Sequence, residues 1–210
     1  MTYTLLLSEE EQMLKKTVRE FAEKELVPRA RELDETEAFP WENLKGITAL
    51  GLMGLTIDPQ YGGAGGGYQQ LAVVLEELAW GCASTSVCYL AHLSLGIASI
   101  YRFGSEAQKQ RFVPPLAQGE KLAAWCLTEP SNGSDAAAME TTATRKDGGY
   151  LLKGTKTFIT NADVADTLVV FASTDRSLLA NGVSCFVVDG NSPGLSAHKL
   201  HGKMGVRGSS

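Results

Sequence analysis

The chain has 210 residues, of which 44% are hydrophobic and 20% charged, and its net charge at pH 7 is -5. This composition is typical of a globular protein with ample material for a core. It lacks the Lys/Arg-rich runs of a nucleic-acid-binding protein. We also expect no membrane partner, because no apolar run of about 18 residues occurs.

Residues 1–7 have no basic region, so we expect neither a signal peptide nor a transit peptide. The cysteines form no C-x-x-C pair and lie in apolar sequence surroundings; they are Cys82, Cys88, Cys126 and Cys185. We interpret them as buried free thiols, which are typical of a reducing compartment. These features favour a cytoplasmic protein.

The first 120 residues show the spacing of helices with one apolar face. Ser8 and Glu11 form a capping-box pattern at the start of a helix that Pro28 should close or kink. Further helices are predicted at 41–51, 68–80, 85–103 and 105–115, the last ended by two prolines. The segment 85–103 is apolar almost all round, which predicts a buried helix.

Five of the six residues 62–67 are glycine, which makes helix and strand both costly. The spacing matches neither G-x-G-x-x-G nor G-x-x-x-x-G-K-[ST]. We therefore interpret this loop as a backbone turn between helices and not as a phosphate-binding loop.

After residue 119 the hydrophobic period changes from helical to two, which predicts strands. Candidate strands lie at 122–127, 141–145, 150–156, 167–173, 183–189 and 195–201. Asp147, Gly148 and Gly149 predict a hairpin turn. We expect an α+β protein with an N-terminal all-helical domain over 1–120. An antiparallel β-barrel-like middle domain should follow over 121–210.

Residues 125–135 read Trp-Cys-Leu-Thr-Glu-Pro-Ser-Asn-Gly-Ser-Asp and run from an apolar strand into a tight polar turn. Such a turn brings backbone N–H groups and the hydroxyls of Thr128 and Ser134 to one edge. Hydrogen-bonding groups gathered in this way suit the polar rim of a small molecule.

Residues 156–161 form a second motif, which places the aromatic ring of Phe158 near the hydroxyl of Thr160. Together the two motifs suit a flat ring with heteroatoms at its rim, because amides and hydroxyls meet the rim while the aromatic ring covers a face. On spacing alone, a sheet with one ordinary polar turn explains the residues equally well.

Both motifs resemble the flavin-binding segments of the acyl-CoA dehydrogenase family, which read close to (Y/F)-x-(L/V)-T-E-P-x-x-G-S-D and W-I-T-N. The segments 61–65, 76–79, 103–109 and 115–120 fit the same family in the expected order. Phe158 stands where Trp is commonest, and a Phe also covers a ring face. The resemblance extends over essentially the whole chain.

The resemblance implies FAD as the cofactor, an acyl-CoA as substrate and an electron-transfer flavoprotein as partner. The reaction would be α,β-dehydrogenation to a trans-2-enoyl-CoA. Residues 203–210 most resemble short-chain (butyryl-type) and branched-chain members, and the whole chain is most similar to the short-chain type. A homo-oligomer, either a dimer or a tetramer, is also implied. Cofactor-binding roles are implied for Trp125, Cys126, Leu127, Thr128, Gly133, Ser134, Phe158, Ile159 and Thr160.

Within this implied site, Thr128 and the amides around it meet the pyrimidine side of the flavin, and Phe158 covers one ring face. The hydroxyl of Thr160 would lie near the flavin N5 atom. Ser134 would also lie along the tail of the CoA thioester, which makes it a substrate-binding residue.

No catalytic residue is named. The resemblance implies that the general base is a carboxylate on a C-terminal helical bundle, which we expect to be absent from these 210 residues. Flavin- and oxygen-using relatives of the nitroalkane oxidase or hydroxylase type remain an alternative, as does a truncated chain without activity of its own.

Other polar residues receive structural interpretations. Glu76 and Glu77 are expected on a solvated helix face, and Glu129 should hold its turn by accepting backbone N–H bonds. His92 is interpreted as a core histidine. We expect no metal site, because His198 and His201 would point to opposite faces of a strand.

Overall fold

The computed structural model describes residues 7–146 and 148–210. Its α-helices are α1 (Glu9–Phe21), α2 (Val27–Thr36), α3 (Trp41–Ala49), α4 (Tyr68–Gly81), α5 (Ala83–Leu90), α6 (Ala98–Phe103) and α7 (Glu106–Ala117). Its strands are β1 (Ala123–Cys126), β2 (Thr142–Lys146), β3 (Gly149–Lys153), β4 (Thr167–Ser173) and β5 (Val183–Asp189). The helices precede the strands, as predicted, whereas the division into two domains at residue 120 stays a prediction.

The helix that begins at α1 continues through Pro28, so the predicted closure was wrong, whereas a kink there stays a prediction. A π-helical segment, Ala22–Leu26, joins α1 to α2, and the Val27 N–H bonds to the Ala22 carbonyl five residues back. Pro28 then lies in the first turn of α2, where a missing N–H is tolerated. The capping box of Ser8 and Glu11 is confirmed.

The predicted end of α7 at two prolines was also wrong. Pro114 and Pro115 lie inside the helix, which ends at Ala117. Their missing N–H groups would have bonded to the carbonyls of Gln110 and Arg111. Both of those residues are exposed, so water can satisfy the freed carbonyls.

The buried helix predicted at 85–103 is confirmed. Helices α5 and α6 and the π-helical Ala91–Ile97 between them form one helical stretch, Ala83–Phe103. It is long and apolar enough to span a membrane, with a mean hydropathy of 1.3. However, 67% of that window is buried inside the protein, which is typical of a core helix.

The sheet is mixed, which corrects the expected antiparallel β-barrel. β4 is central: β1 pairs with it in parallel, with Ala123 opposite Thr167, and β5 pairs with it antiparallel on the other side. β2 meets β4 in parallel at Thr142 and Ser173. The parallel pairing is possible because the β2–β3 hairpin separates β1 from β4 along the chain.

The β2–β3 hairpin is antiparallel, as predicted, although Asp147 of its turn lies outside the described residues. The strand predicted at 195–201 was wrong, since this stretch is irregular. Polar contacts tie it to the end of α2 instead. His201 Nδ1 lies 2.9 Å from a Glu37 carboxylate oxygen, and the Gly202 N–H donates to the same carboxylate at 3.0 Å.

The main hydrophobic core lies between the helices and one face of the sheet. Trp125 and Phe171 meet edge to face on that side, with ring centres 5.1 Å apart. Gly96 of the long helix approaches β1 so closely that a Cβ on it would lie 2.5 Å from the Ala123 Cβ. A second cluster lies on the opposite face and contains Ala124, Cys126 and Leu168, with Ile159 packed against it.

Two burial predictions need correction. Glu77 is fully buried, because α1 packs against α4 and covers its carboxylate with Arg19, which forms an ion pair with it, and with Lys15 at 3.4 Å. Long cationic side chains cover a buried carboxylate in this way when their stems lie on apolar surface. Cys185 is exposed, whereas the other three cysteines are buried.

Candidate functional site

The edge of β1 that faces away from β4, here called the outer edge, is the framework of the site. The Leu122 carbonyl accepts the Thr167 N–H at 3.1 Å. The backbone N–H and C=O groups of even-numbered residues along this strand therefore point toward β4. The Ala123 N–H instead donates to His92 Nδ1 at 3.0 Å. Because peptide groups alternate along a strand, the N–H groups of Trp125 and Leu127 point toward the outer edge.

His92 fixes one end of the outer edge. It is fully buried, and its Nε2 lies 3.1 Å from the Leu116 carbonyl while Nδ1 accepts the Ala123 N–H. The two bonds require the neutral tautomer with its proton on Nε2. Burial lowers the pKa of His92 to about 4. His92 is therefore a structural residue, as predicted, with two hydrogen-bond partners.

Lys156 fixes the other end of the outer edge. Its Nζ donates to the Leu127 carbonyl at 2.9 Å and to Glu129 Oε1 at 2.8 Å. The side chains of Lys156 and Glu129 are 10% and 2% exposed, so this ion pair is nearly buried. One ammonium group thus joins the end of β1 to the chain that follows residue 155.

The Glu129 carboxylate accepts backbone N–H groups, as predicted, but they belong to the segment before β2 and not to its own turn. It accepts the backbone N–H groups of Glu140 and Thr141, the latter at 2.9 Å. Burial alone would raise the pKa of Glu129, but the hydrogen bonds from Lys156, Thr141 and Glu140 outweigh it and lower the pKa to about 2. The carboxylate is therefore ionised at neutral pH and serves as an acceptor.

The turn after Glu129 is closed by two backbone bonds with Asn132, Glu129 N–H to Asn132 carbonyl at 2.9 Å and the reverse at 3.2 Å. Gly133 and Ser134 follow on the exposed side. A Cβ added at Gly133 would meet nothing within 4 Å. Internal packing therefore does not require a glycine there, whereas close approach of a ligand to the backbone would.

The segment 156–161 runs beside this turn, and the Thr157 N–H donates to the Thr128 carbonyl at 2.9 Å. Phe158 has φ +57° and is 76% exposed. A bulky residue in the left-handed region is an outlier, and such strain is concentrated at ligand-binding sites. The Phe158 ring is thus largely open to solvent and available to a ligand.

Asn161 ends the segment and anchors it in the core. It is fully buried with φ +70°. Its Nδ2 donates to the Cys88 carbonyl at 2.9 Å and to the Ala123 carbonyl at 3.4 Å, and its N–H donates to the Ser210 carbonyl at 3.2 Å. The segment is thus held at both ends, by Lys156 and by Asn161.

The predicted site residues fall into three groups, of which the exposed turn residues Gly133 and Ser134 are the first. Trp125, Leu127 and Thr128 lie along the outer edge and its continuation, next to the segment that carries Phe158 and Thr160. Cys126 and Ile159 face the second hydrophobic cluster, and burial raises the pKa of the Cys126 thiol to about 12. Their side chains therefore pack in that cluster and stabilise the backbone of the two motifs.

The sequence motifs contained Lys156 and Asn161, but no ligand-positioning role was assigned to either. The lysine lies 27 residues from Glu129 along the chain, and the asparagine 73 residues from Cys88. A charged residue within an otherwise apolar, threonine-rich segment was the one local signal for the lysine. Nothing local indicated the contacts of the asparagine.

The donor set fits a flavin. Outward N–H groups at Trp125 and Leu127 suit ring carbonyl and nitrogen acceptors, the Thr128 and Thr160 hydroxyls add further polar contacts, and Phe158 presents a free aromatic face.

Comparison with known proteins shows the family to which the chain belongs. Family models for the acyl-CoA dehydrogenase N-terminal domain and middle domain match residues 8–120 and 124–210. The chain belongs to the acyl-CoA dehydrogenase family. Members of this family that resemble it are oxidoreductases.

Two relatives are named as short-chain specific acyl-CoA dehydrogenases. The one from Clostridium acetobutylicum is 44% identical over 97% of this chain and 54% of its own length. The mitochondrial enzyme of Homo sapiens is 46% identical over 97% of this chain and 50% of its own length. The chain thus spans about half the length of the relatives it matches.

Solved structures give the same result. Butyryl-CoA dehydrogenase from Megasphaera elsdenii superposes with a TM-score of 0.92 at 37% identity, over 100% of this chain and 55% of that one. A chain in a structure described as an electron transferring flavoprotein of Acidaminococcus fermentans gives 0.93 at 39%, with 100% and 55% covered. A Mycobacterium smegmatis glutaryl-CoA dehydrogenase in complex with FADH2 gives 0.90 at 35%, with 97% and 51% covered.

Proposed function

We propose that the protein takes part in the α,β-dehydrogenation of a short-chain acyl-CoA thioester, with FAD as its cofactor. The observation that carries the proposal is the outer edge of β1, whose free N–H groups lie next to the anchored segment 156–161. This arrangement supplies the polar and aromatic contacts that a flavin needs. The naming of two relatives as short-chain specific enzymes supports the choice of substrate.

Each residue would have a defined part in holding the cofactor. The amides of Trp125 and Leu127 and the hydroxyl of Thr128 would bind the polar edge of the ring system. Phe158 would cover one ring face, and the Thr160 hydroxyl would donate to the ring atom that receives hydride. When bound, FAD supplies the hydride acceptor, which no amino acid side chain can provide.

The substrate would lie along the exposed side of the turn, where Gly133 and Ser134 face solvent. The Ser134 hydroxyl would hydrogen-bond to the tail of the CoA thioester and help to orient the substrate. Loss of the α-proton needs a base within hydrogen-bonding reach, a role that we assign to none of the described residues.

We further propose an electron-transfer flavoprotein as the electron acceptor, a homo-oligomeric assembly as a dimer or tetramer, and a cytoplasmic location. The structural likeness to a chain described under an electron transferring flavoprotein supports the choice of acceptor. The net charge of -5 argues against nucleic acid as a partner.

An anaerobic titration tests the proposed function. The purified chain is loaded with FAD, its visible spectrum is recorded, and butyryl-CoA is added without oxygen. Bleaching of the flavin band with formation of the enoyl thioester is the result expected where a base lies within reach of the substrate. A bound flavin that does not bleach would support the cofactor site and contradict dehydrogenation by this chain. Rapid return of colour in air, with consumption of oxygen, would instead indicate a flavin- and oxygen-using relative. A chain that stays colourless with FAD contradicts the proposal.

Replacing Gly133 by alanine should weaken FAD binding without lowering stability. The added Cβ meets nothing within 4 Å in the protein itself, so the free energy of unfolding should change by less than about 0.5 kcal/mol. A ligand lying against this backbone would meet the new methyl group. We expect a higher Kd for FAD by fluorescence quenching, with an unchanged Tm of the ligand-free chain.

The matched control is Gly149→Ala in β3, where a Cβ also meets nothing within 4 Å. This variant should leave both FAD affinity and Tm unchanged. Equal FAD affinity for Gly133→Ala and the original chain would show that the cofactor does not pass this turn.

A further inference from the structure

A buried ammonium group connects the two proposed cofactor segments. Lys156 Nζ donates to the Leu127 carbonyl at 2.9 Å and to Glu129 Oε1 at 2.8 Å. One residue further on, the Thr157 N–H donates to the Thr128 carbonyl at 2.9 Å. These bonds hold the consecutive carbonyls of Leu127 and Thr128, just after β1, against the start of the segment 156–161.

The contacts determine the orientation of groups that a ligand would meet. The Leu127 carbonyl belongs to the same rigid peptide unit as the Thr128 N–H, so Lys156 sets the plane of that unit. Within the segment 156–161, Lys156 lies two residues before Phe158 and four before Thr160. A shift of its ammonium group would therefore move both halves of the proposed site relative to each other.

Net stabilisation of the fold is a weak explanation for this buried ion pair. A buried pair often contributes little net stability over apolar residues of similar volume, while loss of one partner leaves an unpaired buried charge. The Glu129 carboxylate is already satisfied in part by two backbone N–H groups, those of Glu140 and Thr141. The specific gain from Lys156 is the link across to Leu127.

We propose that Lys156, held by Glu129 and bonded to the Leu127 carbonyl, is a positioning residue that sets the register between the two flavin-contacting segments. The inference rests on the proposed function, because FAD is the ligand whose contacts it would align. Lys156 itself need not touch the cofactor.

The test compares Lys156→Met with the double variant Lys156→Met/Glu129→Gln, using FAD as the probe. The single variant leaves a buried carboxylate without its cation and is expected to lose thermal stability. The double variant removes that charge, and its Gln oxygen can still accept a backbone N–H, so it should regain part of the stability. Both should bind FAD about 10- to 100-fold more weakly, the range typical for loss of a residue that orients metal ligands.

The readouts are the FAD Kd by fluorescence quenching, the visible spectrum and the reduction potential of the bound flavin, and the Tm without FAD. Lys153→Met is the matched control, because Lys153 is exposed at the end of β3. It should change none of these quantities. A shifted spectrum or potential in the double variant, at recovered Tm, is the result expected of a positioning residue.

Recovery of both Tm and FAD affinity in the double variant would overturn the inference and leave Lys156 with a purely structural role. Unchanged FAD affinity and spectrum in Lys156→Met would overturn it as well. A failure of the proposed function is distinguishable, because the unsubstituted chain would then bind no FAD at all.

Discussion

Replacing His92 by leucine should lower the free energy of unfolding by about 2–6 kcal/mol at pH 7. The substitution leaves the Ala123 N–H and the Leu116 carbonyl buried without their partner, and each unsatisfied group costs about 1–3 kcal/mol. The effect should be large because both partners are themselves deeply buried. Urea unfolding monitored by far-UV circular dichroism measures it.

The same histidine should make the protein sensitive to mild acid. Its pKa is about 4 in the folded protein, below its ordinary value of 6.5. The unfolded chain therefore takes up a proton first, so stability is full above pH 6.5 and falls as the pH is lowered toward 4. The fall amounts to about 3 kcal/mol over that range, from about 1.4 kcal/mol per pKa unit.

Protonation of Glu129 also lowers the stability of the folded protein, but over a more acidic pH range. Its pKa is lowered from 4.5 to about 2, so its contribution is present above pH 4.5 and lost as the pH falls toward 2. The interval between pH 6.5 and 5 therefore isolates the effect of His92. His92→Leu should lack the loss of stability in that interval.

His198→Leu is the control for this prediction, because His198 is exposed. It should keep both the stability at pH 7 and the acid sensitivity of the original chain. An unchanged acid sensitivity in His92→Leu would show that another group titrates there.

Much of the helical part could be predicted from local signals, because caps and apolar spacing act within a few residues. The capping box at Ser8 and the buried stretch Ala83–Phe103 are examples. The wrong predictions concern residues whose structure depends on the surrounding helix or on contacts with residues far away in the sequence. Pro28 is accommodated next to a π-helical segment, and Glu77 is buried because Arg19, 58 residues away, pairs with it.

In the sheet, too, local features could be predicted and long-range pairing could not. The bounds of β4 and β5 were predicted correctly, because their apolar runs are local. The pairing of β1 with β4 was not, because alternation along a strand does not specify the direction of its neighbour. In the candidate site, the motifs could be read from local sequence, and the cofactor roles of their residues stay predictions. The side chains that hold the motifs in place, His92, Lys156 and Asn161, depend on contacts across the fold.

Replacing Asn161 by alanine should cost about 2–5 kcal/mol of stability and weaken FAD binding. The variant loses the donor to the Cys88 and Ala123 carbonyls. The Cys88 carbonyl still accepts the Ala91 N–H, so one buried group is left unsatisfied, at about 1–3 kcal/mol. The substitution also places alanine at φ +70°, which costs a further 1–2 kcal/mol or so because asparagine tolerates this region better. Chemical denaturation and flavin fluorescence quenching measure the two effects.

Asn161→Gly separates the two causes. Glycine adopts a positive φ without strain, so this variant should recover the backbone part of the loss but not the hydrogen-bond part. Its stability should fall between those of the original chain and Asn161→Ala. FAD affinity should stay low in both variants, since neither anchors the segment that carries Phe158 and Thr160. FAD affinity that recovers fully in Asn161→Gly would mean that backbone conformation, and not the side-chain anchor, positions this segment.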